Sequence, residues 1–127
     1  MKAGVEELLK YLKETGYKIA IASSTRSALV KEQIEDAGLM KYFDVIVGGD
    51  QVKKSKPEPD IFLKAAELLV VKPENAYVIE DSYTGIRAAK SAHMRPIMVP
   101  DMVQPDEEMQ DKAWKICDSL KDIITLI

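Results

Sequence analysis

The stretch Ala76-Tyr77-Val78-Ile79-Glu80-Asp81-Ser82, continuing as Tyr83-Thr84-Gly85-Ile86-Arg87-Ala88-Ala89, decides the architecture. Its first four residues form an apolar run of strand length, and the run stops on two adjacent carboxylates. From Gly85 to Ala92 the side chains are mostly small and read as a helix suited to lie close against a sheet. A strand that turns directly into a helix is the unit of a parallel sheet, because parallel strands need a crossover connection.

The same unit recurs on either side. Upstream, Lys18-Ile19-Ala20-Ile21-Ala22 ends in Ser23-Ser24-Thr25, and a run apolar on both faces fits a sheet covered on both sides. Ser24 or Thr25 is expected to cap the next helix, with Val30, Ile34 and Ala37 inward and Gly38 past its end. A second strand, Phe43 to Val47, closes at Gly48-Gly49-Asp50. After the loop Gln51 to Lys56, Pro59 suits the first turn of a helix that buries Ile61, Phe62, Ala65, Ala66 and Leu69. Nearer the start, Val5, Leu8, Leu9 and Leu12 lie on one helical stripe that Thr15-Gly16 terminates. Downstream come a fourth strand, Pro96 to Val99, a polar acidic stretch, and a last helix with Leu120, Ile123, Ile124 and Ile127. The expected fold is α/β: a three-layer, Rossmann-like parallel sheet with helices on both faces and right-handed crossovers. With 127 residues and no repeat or linker, residues 1–127 are expected to form one domain.

Composition narrows the partners. Eighteen basic against 21 acidic side chains leave a net charge of −3, with no surplus to neutralise a nucleic-acid backbone. No apolar run approaches the ~20 residues of a membrane helix, so neither nucleic acid nor membrane is an expected partner. Cys117 is the only cysteine, which excludes an internal disulfide and favours a reducing, cytoplasmic setting. Met1-Lys2-Ala3-Gly4 leads into an amphipathic helix rather than the apolar core of a signal peptide.

Ligands of open α/β sheets gather beyond the carboxyl ends of the strands. The first strand delivers Ser23 there, the second Gly48-Gly49-Asp50 with Lys56 soon after, and the third Glu80-Asp81. A hydroxyl, an ammonium and two carboxylates suit a phosphoryl group with a magnesium ion. Singly, each has a plainer reading: a serine cap, a solvated lysine, acids capping a helix. Their combination, in order, at three strand ends is what points to chemistry.

Three segments carry a family resemblance: Ile19 to Thr25, Ser55-Lys56-Pro57-Glu58-Pro59-Asp60-Ile61-Phe62, and Val78 to Ala89. Together they resemble the haloacid dehalogenase superfamily, in its β-phosphoglucomutase-like branch of phosphatases and phosphomutases. The resemblance implies an enzyme that moves a phosphoryl group on a small phosphorylated metabolite with Mg²⁺ and an aspartyl-phosphate intermediate. It implies that Ser23 binds a phosphoryl oxygen, with Ser24 and Thr25 close enough to help. It further implies that Lys56 offsets negative charge on nucleophile and phosphoryl, that Asp81 is a magnesium ligand, and that Glu80 binds the metal directly or through water.

Relatives also carry an Asp-x-Asp on an earlier strand, supplying nucleophile and general acid–base. Here no apolar strand ends that way: Asp44 lies at a strand's start, and Asp50 has Val52 two positions on. The chain is therefore expected to be the C-terminal core of a longer parent, without cap domain or nucleophile, and inactive alone. Its sheet is expected to be incomplete at the normally central first strand, between those carrying Ser23 and Glu80-Asp81. That leaves exposed edges and an apolar slot, to be filled by a homodimer or strand exchange, or closed by the flanking strands coming together. The chain also has Ser55 where the family often has glycine before the lysine, and His93 where glycine often ends a helix, a site histidine tolerates.

Two other functions compete. A catalytically idle scaffold or interaction domain would keep the fold and anion site. A response-regulator-like phosphoacceptor module uses similar groups, but in the order acids, aspartate, hydroxyl, lysine; here the order is serine, lysine, acids. Trp114 and Cys117 read as packing residues, Lys53 and Lys54 as a solvated loop, and Asp106-Glu107-Glu108 as a solvated first helical turn.

Overall fold

The computed structural model describes residues 4–100 and 104–127, so the reading of Met1 to Ala3 lies outside the described residues. Among the described residues six α-helices alternate with five strands: α1 (Val5–Glu14), β1 (Ala20–Ala22), α2 (Ser27–Asp36), β2 (Val45–Val47), α3 (Asp60–Leu69), β3 (Tyr77–Glu80), α4 (Tyr83–Ser91), β4 (Arg95–Met98), α5 (Glu107–Lys112), β5 (Lys115–Ile116) and α6 (Leu120–Leu126).

All strand pairs are parallel, as expected. The strands form two sheets, however: β1 beside β2, with Ala20 opposite Val45, and β3-β4-β5, with Tyr77 opposite Arg95 and Ile97 opposite Lys115. Helices cover both faces. One core joins Leu8, Leu9 and Leu12 of α1, Val30 and Ile34 of α2, and Leu120 and Ile123 of α6. Ile61, Phe62 and Ala65 of α3 meet Ala88 and Ala89 of α4 on the other side. The three-layer arrangement follows directly.

The caps explain the boundaries. α1 ends at Thr15, with Gly16 at φ 90°. α2 ends with Ala37, exposed rather than inward as expected, and Gly38 at φ 73° turns the chain so that Leu39 fills the core instead. Ser82 caps α4 by accepting the Gly85 N–H at 3.1 Å, and His93 takes φ 63° past its end.

The acidic stretch is more than a solvated turn. Asp106 caps α5 through the Met109 N–H at 2.9 Å. Glu108 accepts both Arg87 Nε (2.6 Å) and Nη2 (2.7 Å), and Lys112 Nζ at 2.8 Å, fastening α5 to α4. No helix of the described residues is long and apolar enough to cross a membrane.

β1 and β3 do not pair with each other, so each presents an open edge to a slot between the two sheets. This cavity of about 580 Å³ has Ile19 and Ile21 on the β1 side, Val78 and Ile79 on the β3 side, and Phe62 and Ala66 of α3 along it. At the amino ends of these strands the Tyr17 and Tyr77 rings lie 6.5 Å apart. Ala22 and Glu80, at the carboxyl ends, line the same slot.

Candidate active site

The carboxyl mouth of the slot gathers the predicted residues in two groups. On the β1 side, the Ser23 N–H donates to the Val47 carbonyl at 2.9 Å, and Ser23 Oγ accepts the Thr25 N–H at 3.1 Å. Ser23 is half-buried and Ser24 exposed. Neither Ser24 nor Thr25 caps α2, contrary to expectation. Its N-cap position is Arg26, without a side-chain cap, and the Ser23 side chain serves the loop before it instead. Asp50 supplies the cap from the next loop: Oδ1 accepts the Ser27 N–H at 2.7 Å, and Oδ2 accepts the Ser27 hydroxyl at 2.9 Å.

On the β3 side, Lys56 Nζ donates to Glu80 Oε2 at 3.0 Å, both side chains being 15% exposed. The same ammonium lies 5.2 Å from the Phe62 ring centroid, a cation–π distance. Glu80 Oε1 accepts the Asp81 N–H at 3.2 Å and the Ser82 hydroxyl at 3.3 Å. Its side chain folds across Gly85, where an added Cβ would stand 2.0 Å from Glu80 Cγ. Asp81 is exposed, and its carboxylate takes no hydrogen bond among the described residues.

The structure thus brings Lys56 together with Glu80 and, next to it, Asp81. It holds Ser23 and Ser24 in a separate loop. No hydrogen bond joins that loop to Lys56, Glu80 or Asp81 among the described residues. Ala22 and Glu80 line one slot, so hydroxyls and charged groups flank the same mouth. Among the described residues no cluster of three or more His, Cys, Asp or Glu side chains is placed to hold a metal. Magnesium asks for less, since one or two carboxylates with waters and phosphate oxygens complete its octahedron. Glu80 and Asp81 fit that sparse shell and would not make an all-protein cage.

Sequence reading did not find the Asp50 cap, the bed of Phe62 under Lys56, or the pocket that Gly85 makes for Glu80. Gly48-Gly49 was the available signal for the first, since two glycines at a strand end mark a close backbone approach. Burial first, then Asp122 and Asp118, push the Cys117 thiol pKa upward, away from the thiolate form. Trp114 packs on Tyr77 with ring centroids 5.3 Å apart.

Comparison with known proteins gives these groups a context. Residues 1–99 match the sequence profile of the family described as haloacid dehalogenase-like hydrolase. A phosphorylated carbohydrates phosphatase of Thermotoga maritima is 47% identical over 94 residues, covering 74% of this chain and 44% of that protein. The crystal structure of CbbY from Rhodobacter sphaeroides, in complex with phosphate, superposes with a TM-score of 0.86 at 35% identity, over 96% of this chain and 55% of that one. A β-phosphoglucomutase from Clostridium difficile superposes with a TM-score of 0.83 at 32% identity, over 97% and 52% of the two chains. The chain spans about half the length of these relatives. By profile, by identity and by superposition, the chain belongs to the haloacid dehalogenase-like hydrolase family, in its phosphatase and phosphomutase branch.

Proposed function

We propose that residues 1–127 form one domain carrying the phosphate- and cation-binding part of a Mg²⁺-dependent phosphoryl-transfer enzyme, cytoplasmic and acting on a small phosphorylated metabolite. The observation that carries this reading is the Lys56–Glu80 pair beside the exposed Asp81, at the mouth of a slot whose other wall leads to Ser23. The relatives support the substrate class, one being a phosphatase of phosphorylated carbohydrates and another having been crystallised with phosphate.

Each group has a distinct role in this reading. Glu80 and Asp81 would hold Mg²⁺, which, when bound, offsets the repulsion between a phosphate dianion and carboxylates. Lys56 places a fixed positive charge beside them, stiffened by the Phe62 ring. Ser23 and Ser24 donate hydroxyl protons to phosphoryl oxygens. The attacking carboxylate comes from outside the 127 residues, on a strand ending in Asp-x-Asp. Its oxygen bonds to phosphorus as the ester P–O bond breaks, and the second aspartate protonates the departing oxygen. Water then releases the phosphate.

The slot fits this scheme. Two open edges, β1 and β3, can each pair with a strand laid between them. Such a strand would come from a longer parent chain, of which this is the C-terminal core without its cap domain, or from a second copy by dimerisation or strand exchange. A catalytically idle scaffold is the second reading, favoured by the lack of any Asp-x-Asp at a strand end.

Hydrolysis of p-nitrophenyl phosphate with Mg²⁺ separates the two. The chain alone is expected to show no turnover. The chain preceded by a strand ending in Asp-x-Asp is expected to be active, and to lose at least about a hundredfold on Lys56→Ala or Asp81→Ala, the scale of removing one charged transition-state contact. An inactive extended protein would leave the scaffold reading standing.

A further inference from the structure

We infer that Asp50 is a positioning residue for phosphoryl binding, holding the Ser23-Ser24-Thr25 loop in shape through Ser27; this rests on the proposal that the loop binds phosphate. α2 begins without a side-chain cap of its own, and its first N–H donates to Asp50, in the loop that follows β2. Both carboxylate oxygens are spent on one residue, Ser27, through its N–H and its hydroxyl. Two-point attachment fixes the direction of a loop in a way that a single bond does not.

The glycines show how closely the loops meet. An added Cβ at Gly48 would stand 2.2 Å from Ser27 N, and one at Gly49 would stand 2.3 Å from the Ser24 carbonyl oxygen. The Gly49 N–H donates to the Thr25 carbonyl at 2.9 Å, and the Gly48 N–H is held by the Gln51 side chain at 2.8 Å. The β2 loop is therefore a template on which the hydroxyl loop is moulded, and Asp50 is its latch. The Ser27 N–H and hydroxyl hold the Asp50 carboxyl below its ordinary range, so it stays charged at neutral pH.

Charge and geometry predict opposite outcomes, which makes the inference testable. A carboxylate beside an anion-binding loop repels phosphate, so on electrostatics alone its removal tightens binding. If Asp50 positions the loop, truncation weakens binding despite the lost repulsion. Asp50→Asn keeps an acceptor for the Ser27 N–H and removes the charge; Asp50→Ala removes both.

The test is an inorganic phosphate titration of the full 127-residue chain, followed by the ¹⁵N–¹H signals of Ser23, Ser24 and Thr25, at a temperature where every variant is folded. Asp50→Ala is expected to raise the apparent Kd about three- to tenfold, the scale of one or two lost hydrogen bonds. Asp50→Asn should match the parent within about twofold or bind more tightly. If Asp50→Ala fails to fold, Ser27→Ala takes its place, removing only the hydroxyl bond, with an expected loss of about twofold. A truncated variant that binds phosphate as tightly as a responsive parent overturns the role of Asp50 alone. A parent chain whose loop signals ignore phosphate overturns the phosphate reading, and this inference with it.

Discussion

The two sides of the slot are built by different physics. On the β1 side, three half-buried strand residues pair with β2, and the hydroxyl loop beyond them is shaped by backbone contact and a borrowed cap. On the β3 side, the neighbouring strand β4 is buried at Pro96, Ile97 and Met98, and the site beyond β3 is shaped by an ion pair. Both sides line the cavity, but β3 is backed by the buried Pro96, Ile97 and Met98 of β4, whereas β1 is backed by β2, half-buried at Val45 and Ile46. Rigidity at the charged groups therefore comes from burial, and at the hydroxyls from a few directional bonds.

Unequal packing has the largest expected consequence for stability. Ile97 is 0% exposed in the middle of the three-stranded sheet, while Ile21 is half-buried and faces the slot. Ile97→Ala should cost about 3–4 kcal/mol, since it leaves a hole in dense surroundings. Ile21→Ala should cost about 1 kcal/mol, because the slot already denies that side chain some of its contacts. Urea unfolding of the two variants reads the difference. Equal costs would mean that the slot side is packed as firmly as the other in solution.

A smaller effect probes the charged side. Gly85→Ala drives a methyl into the Glu80 side chain and so works against the Lys56–Glu80 pair, at about 1–2 kcal/mol. Alanine also improves a helix interior over glycine by up to about 1 kcal/mol. With Glu80 in place the substitution should be destabilising. In a Glu80→Ala background, which removes the three atoms nearest the added methyl, it should become neutral or stabilising. A double-mutant cycle measured by thermal unfolding checks this change of sign; the same destabilisation in both backgrounds would show that Gly85 serves the backbone rather than Glu80.

What the sequence conveyed tracks how local each feature is. Apolar runs and helical stripes located β1 to β4 and their helices, because period and caps are written within a few residues. β5 escaped: two exposed residues, Lys115 and Ile116, carry no apolar pattern, and Ile97 and Met98 define that strand by pairing with it. The strand ends named Ser23, Lys56, Glu80 and Asp81. Among these, what stayed hidden is who holds whom. Glu80 meets Lys56 from 24 positions away, and Ser27 meets Asp50 from 23, separations at which spacing says nothing. The absent motif raised the expectation of an open position beside β1, but only the folded chain shows that β1 and β3 stand apart rather than pairing with each other.

Acid should loosen the two sides by separate carboxylates, with the smallest of these effects. Asp44 binds β1 to its side: Oδ2 accepts the Ile19 N–H at 2.8 Å and Oδ1 pairs with Lys13 at 3.0 Å, and these contacts lower its pKa. Glu108, clamped by Arg87 and then Lys112, is lowered from 4.5 to about 2. A carboxylate whose pKa is depressed by folding adds stability above its unfolded pKa, and that stability fades as pH falls through the folded value. The Glu108 contribution should therefore be whole at pH 5 and above, and drain away between about pH 4.5 and 2. Both groups are substantially exposed, so each effect is modest and shrinks with added salt. Glu108→Gln should flatten the acid limb for the α4–α5 contact while leaving the amides of β1 with their parental pH dependence; Asp44→Asn should do the reverse. Hydrogen exchange followed residue by residue from pH 5 downward distinguishes the two. Were either variant to alter both regions alike, the sides of the slot would be one cooperative unit rather than two.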